Sequence, residues 1–305
     1  MTDDVSVAPS DGSAVAVAAA GGGRGERRSG LSRGVATWWR ALRGMRLGGA
    51  MILAILVASF VVPAVSPYDP LAATGPTLAA PSADHLFGTD NLGRDVFTRT
   101  FTAARLDIGV ALLGVAFPLF IGTVVGALLG LSRSRALAAV VGTIIDAINA
   151  FPMLALIIGL VAVLGIGLKS VIIALAFTNW ARYARIARTR AMVVGKQDYV
   201  LAAKTLGYPR RRILLRHVMP NVSAETIAYG LSDFVLVILT VAGLSFLGLG
   251  VRPPTPEWGS MMSEGRLFLQ TAWWMTVFPG LALSWTGVAV AFVAEGFRRR
   301  QRGDL

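Results

Sequence analysis

Long uncharged runs alternate with short basic ones along this chain. A helix crosses a bilayer core of roughly 30 Å with about 20 residues, and windows of that length recur. The first, LGGAMILAILVASFVVPAVS, lies between Arg46 and Asp69, and the second, IGVALLGVAFPLFIGTVVGALLGLS, between Asp107 and Arg133. The third runs from Ala136 to Gly165, broken only by Asp146. At 1.5 Å per residue, about 30 helical residues reach about 45 Å, too long for one upright span. Pro152, in the pair Phe151-Pro152, is expected to kink or divide it. The fourth starts as SVIIALAFTNWA and has to continue through RYARIARTRAMVV, with Arg182 snorkelling toward the headgroups. Arg182, Arg185 and Arg188 recur every three residues and form a loose stripe on one face. The fifth covers Thr226 to Leu247 with Asp233 inside it, and the sixth Thr271 to Ala294. Trp273, Trp274 and Trp285 suit interfaces or helix packing. The pattern predicts an all-α, polytopic membrane protein with six transmembrane helices.

Composition agrees. The 305 residues are 54% hydrophobic and only 15% charged, against about 25% charged in a soluble domain. The net charge of +12 raises nucleic acid as a partner, and the distribution of the charge removes it. Of the 29 Lys and Arg, only Arg94, Arg99, Arg105, Lys169, Arg252 and Arg266 fall on one side of the six expected spans. The rest lie on the side that holds both termini, which the positive-inside rule places in the cytoplasm. The chain has no cysteine, so disulfide, thiolate and cysteine–metal chemistry are excluded. His85 and His217 fall on opposite sides, which argues against a histidine metal site or a Ser/His/Asp triad. No GxxxxGK[ST] phosphate loop is present, so no ATP chemistry and no cofactor are expected in this chain. The first 30 residues are small, Gly/Ala/Ser-rich and without aromatics, a composition that resists folding.

One polar stretch is too long for a simple turn: DYVLAAKTLGYPRRRILLRHVMPN, residues 198–221. Asp198 is placed to cap a short helix over Tyr199–Leu206, Gly207 to permit a tight turn, and Pro209 to open a second helix. Ile213, Leu214, His217 and Val218 share a face of that second helix. Pro220 and Asn221 are expected to end it before the fifth span. On its residues alone, the stretch reads equally well as a basic loop on anionic lipid.

The spacing Ala-Ala-(3)-Gly-(many)-Pro resembles the signature loop of ATP-binding-cassette importer permeases, EAA followed by Gly. Ala202, Ala203, Gly207 and Pro220 fit, and Leu201 stands where the glutamate is usual. Three further stretches resemble the dipeptide/oligopeptide/nickel permease group: FGTDNLGRDVFTR (87–99), LSFLGLGVRPPTPEWGSMM (244–262) and FPGLALSWTGVAVAFVAEGFR (278–298). NWARYARIARTRAMVV (179–194) matches as well. Together they cover residues 40–300 in order, and the GTDxxGRD element marks the second of two paired permeases. The resemblance implies a type I importer permease (MetI-like) fold and a coupling loop at 196–221. There Leu201, Ala202, Ala203, Gly207, Arg210 and Arg211 would meet an ATPase, with apolar packing at Leu201 in place of a polar contact. The implied partners are a second permease, two ATP-binding-cassette subunits or domains, and an external substrate-binding protein. The implied activity is uptake of dipeptides or oligopeptides by alternating access, with nickel or another small solute as the alternative.

The expected organisation is a disordered cytoplasmic tail (1–40), a first span with an external loop (41–106), a transmembrane domain (107–298) and a C-terminal tail (299–305). In the external elements, Asp90, Gly93, Arg94, Asp95, Pro253, Pro254 and Trp258 have two readings. They shape an outer gate or receptor contact, or they form structural turns, with the prolines stiffening an extended loop and Trp258 anchoring at the interface. A carboxylate at the bilayer centre costs about 2.5–3.5 kcal/mol on insertion scales. Asp146 and Asp233 therefore either line the pathway or hydrogen-bond a neighbouring helix. Those two residues also carry the rival in a different class, an ion-coupled secondary transporter. Such folds show inverted repeats, and this sequence has no convincing one.

Overall fold

The computed structural model describes residues 25–132 and 134–301. Of the expected tails, 1–40 and 299–305, residues 1–24 and 302–305 lie outside them. Among the described residues the chain is helical, with one isolated bridge, Thr89 to Asp95. The helices are α1 (Gly25–Val65), α2 (Val96–Gly130), α3 (Arg135–Ala150), α4 (Met153–Leu164), α5 (Leu168–Val194), α6 (Asp198–Thr205), α7 (Arg210–Ile213), α8 (Met219–Phe246), α9 (Trp258–Gly265) and α10 (Trp274–Gln301).

α1 corrects the expected unstructured tail, because helix begins at Gly25 and not after residue 40. Beyond the Gly-rich run the sequence turns to Arg, Leu, Ala and Trp, and the first three of these are good helix formers. Pro152 divides the third window as anticipated: the segments before and after it meet at 95°. Phe151 takes an extended backbone (φ −78°, ψ 141°), the conformation a following proline imposes. Four helical stretches are long and apolar enough to cross a membrane alone, namely Gly44–Val65, Val96–Gly130, Arg210–Phe246 and Trp274–Gln301, and the bent pair α3–α4 makes a fifth. α5 is unbroken for 27 residues, about 40 Å at 1.5 Å per residue. It falls below the same apolar standard because arginines fill its second half. Length and composition alone thus identify four or five spans among the described residues, and they do not test the expected count of six.

α2 is the central post, packed on α5, α8 and α1. Its approach to α5 is set by small residues. A Cβ at Gly122 would stand 2.5 Å from the carbonyl oxygen of Trp180, and one at Gly126 would collide with the carbonyl of Ala184. α5 answers with a buried stripe of Ala181, Ala184, Ala187 and Ala191. Without a hydrophobic drive between helices in lipid, such close backbone contact is what holds spans together. The main core, with Ala103, Ala111, Leu175, Tyr183, Ile238 and Trp258, continues along α2, α5 and α8 to the end where α9 sits.

Candidate functional site

At one end of the bundle stands an elbow built by residues 196–221. α6 ends in a six-residue capping turn. Tyr208 N–H donates to the carbonyl of Ala203 (3.1 Å) and Gly207 N–H to that of Lys204 (3.0 Å). This is the Schellman pattern, which needs a left-handed residue after the helix; Gly207 supplies it at φ 75°. The Lys204 ammonium donates to the carbonyl of Gly195 at 2.8 Å, tying α6 back to the end of α5. The Arg212 guanidinium lies 4.1 Å from the centroid of the Tyr208 ring. Beneath, Val200, Ala203, Ile213, Val218 and Val222 are buried against Ala127, Ala187, Ala191 and Val194.

Outside that base Tyr199, Leu201, Leu206 and Leu215 are exposed, Leu206 by 72%, alongside Lys204, Arg212 and Arg216. Of the expected coupling residues, Leu201, Ala202, Gly207, Arg210 and Arg211 face outward, and Ala203 is buried. Pro220 does not end the second helix, as its sequence suggests. α7 passes through a π-helical turn at Leu214–Val218 straight into α8, with Pro220 in the first turn of α8. Proline offers no N–H and crowds the carbonyl four residues back. The turn widens to accommodate it, and Met219 N–H reaches the carbonyl of Leu214.

At the opposite end, α2, the loop before it and α9 form a buried polar clamp. Asp90 accepts from the backbone N–H groups of Leu92 (2.8 Å) and Arg94 (2.9 Å), and from Arg94 Nε at 2.6 Å. Arg94 Nη2 donates to Glu264 at 2.8 Å. Arg99 stands 3.6 Å from Asp90 and 3.9 Å from Glu264, and donates to the carbonyl of Pro70 at 2.8 Å. Gly93, at φ 74°, lies against the Gly75 backbone with no room for a Cβ. Asp95 caps α2 by accepting from Thr98 N–H (2.7 Å) and meets His85 Nδ1 at 2.9 Å. Asp90, Arg94, Asp95 and Arg99 are all buried.

Trp258 corrects an expectation. It is wholly buried and no interface anchor, because its indole N–H is satisfied inside the protein by the carbonyl of Thr100 at 2.9 Å. Pro253 and Pro254 also depart from the extended loop: they form a turn, joined by a cis bond. Two further carboxylates converge here. Asp107 accepts from Trp258 N–H at 3.0 Å. Glu257 accepts from Gly259 (2.9 Å) and Ser260 (2.7 Å) N–H groups. Burial pushes the Glu257 carboxyl above its ordinary range.

The two intramembrane acids part ways. Asp233 is buried and accepts from the Tyr183 hydroxyl at 2.9 Å, a bond that ties α8 to α5. Asp146 is 70% exposed, on α3, and pairs with Arg185 of α5 at 2.6 Å. The residues that sequence reasoning passed over are Arg99, Asp107, Glu257 and Glu264. One signal for Glu257 was present, an acid immediately before a helix start, where a side chain can accept the orphan N–H groups.

Comparison with known proteins follows the same lines. Residues 122–303 match the family described as "Binding-protein-dependent transport system inner membrane component". The dipeptide transport system permease protein DppC of Alkalihalophilus pseudofirmus is 35% identical, over 87% of this chain and 89% of that protein. The di/tripeptide transport system permease protein DppC of Pseudomonas aeruginosa is 36% identical, over 83% and 86%. The nickel transport system permease protein NikC of Escherichia coli K12 is 37% identical, over 76% and 84%. With an elbow at one end, apolar spans and relatives of this length, the chain belongs to the family of binding-protein-dependent transport system inner membrane components.

Proposed function

We propose that this chain is one of two permease subunits of an ATP-driven importer for di- or oligopeptides in the cytoplasmic membrane. The observation that carries the reading is the elbow. It leaves Tyr199, Leu201, Leu206 and Leu215 exposed above a buried base, and exposed apolar side chains held on a rigid turn suit docking in a cleft of an ATPase subunit. Both termini and the elbow then lie in the cytoplasm, as the distribution of Lys and Arg supports, and the clamp faces an external binding protein. Closure of the ATPase pair moves the elbow, and the spans rock about it as rigid bodies. Asp146, exposed on α3, is the carboxylate available to a pathway between two permeases.

Nickel is the second reading, supported by the identity to the nickel permease. The test is uptake by proteoliposomes holding this chain with its co-encoded permease, ATPases and binding protein. ATP-dependent accumulation of labelled di- to pentapeptides is expected. Accumulation of nickel alone selects the second reading, and solute uptake that follows the proton gradient and ignores ATP overturns both.

A further inference from the structure

The first three N–H groups of α9 are divided between two carboxyl groups. Trp258 N–H goes to Asp107, and Gly259 and Ser260 N–H go to Glu257. Three consecutive amides therefore hold two acids against each other. Asp107 is 2% exposed and Glu257 0%. Both oxygens of Glu257 have donors, but Oδ1 of Asp107 is buried without any partner, and the Glu257 carboxyl is the like charge that acts on it. Gly259 lies directly on the Ala242 backbone of α8 with no room for a Cβ, so α9 is held close against α8.

No described cation pairs with either acid. On α2, Arg99 lies two turns away, engaged by Pro70, Asp90 and Glu264. On α9, Glu264 is taken by Arg94. α8 contributes the Ser245 hydroxyl beside Glu257. α10 brings apolar and aromatic side chains to this core, among them Trp274, Met275, Phe278 and Leu283. Like charges in a buried site cannot both ionise without a counter-charge.

We infer that Asp107 and Glu257 share one proton, which gives the orphaned Asp107 oxygen a partner and makes the pair the positioning device that holds α9 on α2 and α8. The sign follows from the linkage between proton binding and structure. A carboxyl that binds its proton more tightly in the docked state favours docking at low pH, and docking weakens as pH rises through the docked-state value. The alkaline limb of transport then reports loss of the shared proton. The link to transport rests on the function proposed above; the shared proton itself does not.

The experiment uses the assembled importer in proteoliposomes, comparing wild type with Asp107→Asn and Glu257→Gln. Asp107→Asn keeps the acceptor for Trp258 N–H and supplies a donor to Glu257, whereas Glu257→Gln gives up one of its two backbone acceptors to supply a donor to Asp107. Infrared difference spectra between wild type and each variant are expected to show one protonated-carboxyl carbonyl band at neutral pH that both variants lack. Uptake by Asp107→Asn is expected to lose the alkaline fall-off of wild type. Absence of the band in wild type, or an unchanged pH profile in an active variant, overturns the inference. If Asp107→Asn does not insert, Glu257→Gln carries the same comparison. Failure of wild type to transport peptides speaks against the proposed function, and the band still decides the pair.

Discussion

The elbow and the clamp are the two polar regions of this molecule, and they use charge in opposite ways. At the elbow Arg210 and Arg211 stand in solvent and the fold depends on a buried apolar base and one glycine turn. In the clamp buried Arg94, Arg99 and Asp90 hold one another and the half-buried Glu264. Exposed charges are worth little to stability. Buried, paired ones are costly to break, because the survivor is left uncompensated. The elbow is thus open to remodelling against a partner, and the clamp is fixed within the chain.

The largest expected effect comes from breaking the clamp. Arg94→Ala leaves Asp90 and Glu264 with only the longer contacts to Arg99 and should cost about 3 kcal/mol, seen as a collapse of membrane abundance and thermal stability. Near-normal melting of that variant would mean that the clamp is not what joins α9 to the loop before α2. Gly126→Val should be nearly as damaging, since its side chain would enter the Ala184 backbone of α5; a shortfall in folded protein on detergent gel filtration reads it.

Gly207→Val sharpens the contrast. No atom would meet the new Cβ, so the cost is backbone strain alone, about 1–2 kcal/mol for a left-handed residue. Abundance should be close to normal while coupled uptake falls about tenfold, because the turn aims the docking face. Uptake and abundance falling together would make Gly207 a folding residue only. Smaller still, Arg185→Ala removes an exposed pair with Asp146 and should change stability by less than about 1 kcal/mol. Replacing Arg210, Arg211 and Arg212 together by Ala should leave the melting temperature almost unmoved, with uptake reduced less than by Gly207→Val.

Much of this was legible in the sequence. Uncharged windows of span length announce membrane helices because the bilayer tolerates few alternatives. Pro152 announced its break, since a proline bars helix at the residue before it. Gly207 announced its turn. These are local rules, in which a residue acts on its own backbone or at helical spacing.

What the sequence could not decide depends on where distant segments meet. Trp258 reads as an interfacial anchor or an outer contact, and Asp233 as a pathway residue or a bond between helices, and only the fold places Thr100 and Tyr183 against them. Glu264 finds Arg94 across 170 positions of chain, and Asp107 meets the start of α9 across 151. Such partnerships leave no period and no spacing to read. The alternation of apolar and basic segments by itself determined a helical membrane protein with a basic side and an elbow. Which charges are buried, and which are left to face a partner, was decided only by tertiary packing, because the cost of a buried charge depends on the neighbour that the fold brings to it.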